Sequence, residues 1–157
     1  MSRFRPRLRG SARGKRFVII ASQFNPSISR ALIRGATHAL SRAGASNRQV
    51  HIVWVPGAFE LPVVAARLAQ RRPRPHAIIA LGALIRGETP QYIVLAHAVA
   101  EGLSQVSVST GVPVTFGVIV AATLAQAKAR AGGAMGNRGA EAAQAALGVL
   151  QLFEDLT

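Results

Sequence analysis

The residues with the clearest chemical potential lie in the segment 80–92, where an apolar predicted strand leads through a glycine-bearing turn into a predicted helix. Thr89 suits the N-cap of that helix, and Pro90 stands at its first position, where a missing N–H is tolerated. The unpaired N–H groups of a first helical turn, together with the helix dipole, favour an anion. Most junctions of this kind bind nothing, so the segment gains weight only if neighbouring loops suit the same ligand.

The ends of the other predicted strands carry groups of that kind. Phe24 and Phe59 offer aromatic rings, and Phe116 lies late in the fourth predicted strand. Glu60 could accept hydrogen bonds from hydroxyl groups, while the guanidinium of Arg130 could bind a phosphate through two parallel hydrogen bonds. Each residue also has an ordinary explanation, as a core ring, a helix-terminal carboxylate or a surface arginine. Together they suit a flat polar heterocycle that carries a hydroxylated chain and lies beside a phosphate.

Chemistry that depends on many protein groups is not indicated. The chain has no cysteine, which excludes a thiol nucleophile, and its 6 acidic residues are too sparse for a paired carboxylate site. No serine, histidine and aspartate arrangement is recognisable, and the histidines lack metal-ligand spacing. We therefore expect chemistry that demands little of the protein's own groups. The four histidines are His38, His51, His76 and His97.

Apolar segments alternate with helical patterns along the chain, in the order β-α-β-α-β-α-β-α-α. This alternation predicts a parallel sheet covered by helices on both faces, with ligands bound outside the carboxyl ends of the strands. A glycine-rich flexible link is expected at 132–136, and Asn137 is expected to cap the last helix. The predicted strands are 17–21, 50–55, 77–81 and 114–120, and the predicted helices are 26–43, 59–70, 90–109, 123–131 and 138–153.

Charge is concentrated at the N-terminus of this 157-residue chain, whose formal net charge is +13. The first sixteen residues hold seven cations and no acid, so we expect a disordered basic arm over 1–15 and a single domain over 16–157. Such an arm could bind nucleic acid or acidic cargo.

No apolar run is long enough for a membrane span and no secretory signal is recognisable, so we expect a cytoplasmic location and no membrane partner.

Five segments carry a resemblance to a known family. They are Ser22-Gln23-Phe24-Asn25, 55–62 (VPGAFELP), 82–89 (GALIRGET), 114–118 (VTFGV) and 126–139. By these segments the chain is similar to the 6,7-dimethyl-8-ribityllumazine synthase family over about residues 16–155. The resemblance implies a flavodoxin-like three-layer α/β/α fold with a four-stranded parallel sheet, assembled into pentamers that in some members close into icosahedral cages. It also implies that the protein needs neither a metal nor an organic cofactor.

The resemblance also implies an activity, the penultimate step of riboflavin synthesis. In that step 5-amino-6-(D-ribitylamino)uracil condenses with 3,4-dihydroxy-2-butanone 4-phosphate, releasing phosphate and water. By position, Phe24 would stack on the pyrimidine ring, Arg130 would clamp the phosphate, and Phe116 would come from a neighbouring subunit. The remaining implied substrate contacts are Asn25, the ribityl-binding Ala58, Phe59 and Glu60, the backbone of Ala83, Leu84 and Ile85, and the N–H groups of Glu88 and Thr89.

One departure from the family bears directly on catalysis. The family has a general acid/base histidine early in the third helix, whereas this chain has Gln91, which cannot exchange a proton near neutral pH. His97 lies six residues further on, on a different helix face. We therefore expect the catalytic positions Gln91 and Arg130 to support a slow lumazine synthase. The alternative is a weakly active paralogue that binds flavin precursors or forms a shell, with riboflavin synthase, acidic cargo or nucleic acid as further partners.

Overall fold

Four parallel strands form the central sheet in the computed structural model, which describes residues 10–157. Their order is β2-β1-β3-β4, and helices cover both faces of the sheet. This arrangement confirms the predicted α/β class. The strands are β1 (Phe17–Ser22), β2 (Val50–Val55), β3 (Ala77–Ile85) and β4 (Val114–Ala121), and the helices are α1 (Pro26–Arg42), α2 (Leu61–Ala69), α3 (Gln91–Thr110), α4 (Leu124–Ala129) and α5 (Arg138–Leu156).

Alternation along β1 divides the interior into two cores. Phe17, Ile19 and Ala21 point to the face covered by α1 and α5, while Val18 and Ile20 point to the face covered by α2 and α3. All six residues of β1 are buried. A strand that is buried on both faces reads as a continuous apolar run, and for this reason β1 was predictable from sequence.

The crossing of the chain leaves a crevice at one edge of the sheet. The connection after β1 leads outward to β2, whereas the next connection crosses to β3 on the other side of β1. In open parallel sheets, ligands bind outside the carboxyl ends of the strands at such a reversal of strand order. The candidate site residues in the loops after β1, β2 and β3 therefore converge.

Strand β3 is longer than predicted. It continues past Leu81 to Ile85, because its pairing with β4 extends from Gly82, opposite Val118, to Ile85, opposite Ala121. The turn that we expected at Gly82 is thus wrong. A side chain at Gly82 would lie 3.1 Å from the Cβ of Ser22, which explains why a glycine fits within this strand.

The predicted flexible link at 132–136 is also wrong. Two short antiparallel strands, β5 (Ala131–Gly133) and β6 (Gly136–Asn137), form a hairpin there. Gly132 and Gly136 have φ of 101° and 81°, a conformation that other residues adopt with difficulty. The glycines therefore serve a defined turn.

Part of the predicted N-terminal arm belongs to the domain. Ala12 is fully buried and its N–H donates a 2.9 Å hydrogen bond to the carbonyl of Ala43, and Lys15 forms a 2.8 Å ion pair with Glu154 on α5. These contacts order residues 10–15, contrary to expectation. The rest of the predicted arm, residues 1–9, lies outside the described residues.

Within 10–157, no helix has the length and apolar character needed to cross a membrane.

Candidate active site

A cavity of about 480 Å³ opens at the carboxyl ends of β1, β2 and β3. Ten of the thirteen residues singled out from sequence line it. The walls also include three residues that the sequence analysis did not single out (Gly87, Tyr92 and Leu95) and the backbone of Gly57. The ten are Phe24, Asn25, Ala58, Phe59, Glu60, Ala83, Leu84, Ile85, Thr89 and Gln91.

The turn after β1 presents an aromatic ring. Phe24 is 70% exposed, so its ring is free to stack on a ligand and is not a core residue. Asn25 adopts a left-handed conformation (φ 55°) at the N-cap of α1, but its side chain does not cap the helix. Instead its amide donates a 3.4 Å hydrogen bond to the carbonyl of Ala83. This bond joins the loop after β1 to the last part of β3, and both residues line the cavity.

The exit of β2 contributes a second ring and the carboxylate. A short 3₁₀ turn over Ala58–Glu60 leads into α2, and Phe59 is 60% exposed. Glu60 is half-buried and takes part in neither of the ion pairs found among residues 10–157. Its oxygens are therefore available to a hydroxylated ligand, since an ionised carboxylate accepts hydrogen bonds only.

The exit of β3 contributes backbone and the start of α3. Ala83, Leu84 and Ile85 line the cavity at the end of the strand, although Ala83 and Leu84 are buried and only Ile85 is half-buried. Helix α3 begins at Gln91 with Pro90 at its N-cap, so the predicted cap at Thr89 is displaced by one residue, and no side chain caps this helix. The first N–H groups of α3 consequently point towards the loop that holds Thr89.

Three of the predicted site residues do not line the cavity of their own chain. Glu88 is exposed on the β3–α3 loop. Phe116 is 44% exposed on β4, an edge strand of the sheet. Arg130 follows α4, where one guanidinium nitrogen donates a 3.1 Å hydrogen bond to the carbonyl of Gln126.

Titratable groups are scarce around the cavity. Among its lining residues only Glu60 and Tyr92 carry one, and no histidine is included. No group of three metal-ligating side chains occurs in the described part of the chain. Tyr92 and Leu95 are the side chains that the sequence analysis missed, although Leu95 lies four residues after Gln91 and therefore on the same helix face.

Comparisons with known proteins agree over nearly the whole chain. The family model described as 6,7-dimethyl-8-ribityllumazine synthase matches residues 14–154. A protein of that name from Thermus thermophilus is 44% identical over 147 residues, which cover 94% of this chain and 93% of the relative. The protein of the same name from Gemmatimonas aurantiaca is 48% identical over 141 residues, covering 90% of this chain and 85% of the relative.

Proposed function

Because the chain belongs to the 6,7-dimethyl-8-ribityllumazine synthase family, we propose that it is a lumazine synthase of riboflavin biosynthesis. It condenses 5-amino-6-(D-ribitylamino)uracil with 3,4-dihydroxy-2-butanone 4-phosphate, and it releases phosphate and water. The observation that carries this proposal is that one cavity gathers two exposed aromatic rings, a carboxylate outside both ion pairs of residues 10–157 and the end of β3. These groups belong to Phe24, Phe59, Glu60 and residues 83–85.

The cavity divides between the two substrates. Phe24 stacks on the pyrimidine ring, and the backbone that lines the cavity at the end of β3, from Ala83 to Ile85, hydrogen-bonds the ring edge. Glu60 accepts hydrogen bonds from the ribityl hydroxyls, with Ala58 and Phe59 beside them. The phosphate lies at the loop before α3, against the N–H groups of Glu88 and Thr89. Anions are favoured there because the helix dipole and unpaired N–H groups act together.

Neighbouring subunits complete the site. The family forms homo-oligomers built on pentamers, and this chain exposes apolar side chains on both edge strands of its sheet, Ile52 and Trp54 on β2 and Phe116 and Val120 on β4. Such exposed apolar groups favour association. Phe116 and Arg130, which do not line their own chain's cavity, reach the cavity of the adjacent subunit, where Arg130 clamps the phosphate.

Catalysis rests mainly on holding the substrates in register. The amine of one substrate is the nucleophile that attacks the ketone of the other, so the protein supplies no nucleophile of its own. Correct orientation of two bound reactants contributes up to about 7–11 kcal/mol in favourable cases. Gln91 lines the cavity at the position of the family histidine and lowers the rate by removing a general acid/base, a group typically worth about 10²–10⁴-fold.

The finer assignments of partner and location remain predictions. The basic arm would bind nucleic acid or acidic cargo through residues that are largely outside the described part of the chain. Riboflavin synthase is the protein partner that fits a shared pathway. We also keep the cytoplasm as the expected location.

Steady-state formation of the lumazine chromophore tests the proposal. The native chain is compared with an enzyme-free blank, with Arg130→Ala, and with Arg34→Ala as a control at an exposed arginine on α1. We expect turnover above the blank in the native chain and the control, and a strong loss in Arg130→Ala. Native turnover equal to the blank would favour the weakly active shell-forming paralogue.

A further inference from the structure

The proposed reaction requires a group that carries a proton, and the position where the family has a histidine for this purpose, residue 91, is a glutamine here. Gln91 has no ionisable group, and the guanidinium of Arg130 serves only as a hydrogen-bond donor. His97 does not line the cavity. Glu60 does line it, but from the β2 exit, where it faces the hydroxylated part of the substrate in the proposed function.

Tyr92 is the remaining titratable side chain of the cavity wall. It follows Gln91 directly in the first turn of α3 and lines the same cavity. Its ring packs against the core between the sheet, α2 and α3, while the residue as a whole is only half-buried. Tyrosine has an apolar body and a polar end, and a half-buried tyrosine that both packs against a core and lines a cavity is suited to present its hydroxyl to that cavity.

We infer that the phenol of Tyr92 is the proton carrier of this enzyme and that Gln91 acts beside it as a hydrogen-bonding, positioning residue. This inference rests on the proposed function. Phenols serve as general acids and bases in enzymes when they lie within hydrogen-bond reach of the reacting group. Tyr92 therefore takes over, from the adjacent helical position, the role of the missing histidine.

The proton balance closes in the dehydration step. Addition of the substrate amine to the ketone gives a carbinolamine, with a hydroxyl group and an N–H on neighbouring atoms. The Tyr92 hydroxyl donates its proton to the departing hydroxyl, the C–O bond breaks, and water leaves as the C=N bond forms. The phenolate then takes the proton from the iminium nitrogen, which yields the Schiff base and restores Tyr92.

A double-mutant cycle between positions 91 and 92 tests the inference. Tyr92→Phe removes only the hydroxyl, and we expect kcat to fall about 10²-fold with KM within about threefold of the native value. In the Gln91→His background, Tyr92→Phe should lower kcat by a factor at least ten times smaller, because an imidazole then carries the proton. A purely structural role for Tyr92 would give equal losses in both backgrounds and would overturn the inference.

The pH dependence provides a second readout. Imidazole titrates near pH 6.5 and is the group that changes charge in this range. We therefore expect kcat of the Gln91→His, Tyr92→Phe double variant to change with pH between about pH 6 and 8, a dependence that the native enzyme lacks.

The remaining outcomes separate the inference from the proposed function. If the native chain is no faster than the enzyme-free blank but Gln91→His is, Tyr92 is rejected as the carrier while the active site is kept. If neither the native chain nor Gln91→His is faster than the blank, both proposals are rejected. Native turnover that survives Tyr92→Phe within threefold would keep the function and reject the carrier.

Discussion

The side chain of Asn137 links α5 to Ala31 on α1, a residue far away in the sequence. Its side-chain amide donates a 3.0 Å hydrogen bond to the carbonyl of Ala31 on α1, 106 residues away, and its carbonyl oxygen accepts a 3.0 Å bond from the N–H of Ala140 in α5. One side chain thus caps α5 and fixes it against α1. Gly35 and Gly139 allow this close approach, because a Cβ at Gly35 would collide with the Asn137 side chain and a Cβ at Gly139 would collide with the backbone carbonyl of Leu32 on α1.

We expect Asn137→Ala to lower the free energy of unfolding by about 1–3 kcal/mol, because it removes the side-chain cap of α5 and the hydrogen bond that joins Asn137 to α1. Urea unfolding followed by circular dichroism measures the change. Asn47→Ala is the control, since Asn47 is exposed. Equal stabilities for the two variants would contradict the assigned role of Asn137.

The sequence was most informative where structure depends on local pattern. The buried run of β1 and the capping function of Asn137 were both predictable. The end of β3 was not, because pairing with β4 carries the strand across Gly82. The hairpin at β5 and β6 was missed since glycines that enable a fixed turn resemble those of a flexible link.

The candidate site follows the same division. Residues after parallel strands converge at one edge of the sheet, so Phe24 and Phe59 could be expected to share a cavity. Tyr92 was missed because an aromatic residue in a helix is usually a core residue, and only the structure places it in the cavity wall. Phe116 and Arg130 do not line the cavity of their own chain, and the roles proposed for them depend on how subunits associate, which one chain's sequence pattern does not determine.

His76 makes stability depend on pH. Burial lowers the pKa of His76, and the positive charges of Arg16 and Lys15 lower it further. The neutral ring accepts a 2.9 Å hydrogen bond at Nδ1 from the N–H of Arg16. The unfolded chain therefore binds this proton more readily, so the stability that His76 contributes is present above about pH 6.5 and is lost as the pH falls below that value.

We expect His76→Gln to reduce the loss of stability between about pH 7.5 and 5.5 relative to the native chain. Urea midpoints at the two pH values measure the effect. His38→Gln, at an exposed position on α1, should retain the native pH dependence. The assignment fails when the His76 variant and the native chain lose stability in parallel.

Phe24 should affect substrate binding far more than folding. Its ring is 70% exposed, so Phe24→Ala removes little buried surface. Stacking on a heterocycle is worth about 1–3 kcal/mol, which predicts a rise of about 5- to 150-fold in KM for the pyrimidine substrate. Phe153→Ala, at another exposed phenyl ring, controls for surface changes. A native KM in Phe24→Ala would exclude ring stacking.

Mixing of subunits tests whether sites are shared. Arg130→Ala and Phe24→Ala impair opposite sides of the same proposed site, and with the pyrimidine substrate well below the native KM both variants are slow. When the two variants are unfolded and reassembled together in equal amounts, about one quarter of the interfaces in a cyclic oligomer regain both native residues. We expect chromophore formation to recover to about that fraction of the native rate. No recovery beyond either variant alone would place both residues in one subunit's site.

Phosphate release and lumazine formation, measured in the same reaction, test the proposed catalysis. We expect the native chain to produce one phosphate for each lumazine and both products to appear faster than in an enzyme-free blank. A folded, assembled chain that leaves both rates at the blank would contradict the claim that this cavity catalyses the condensation.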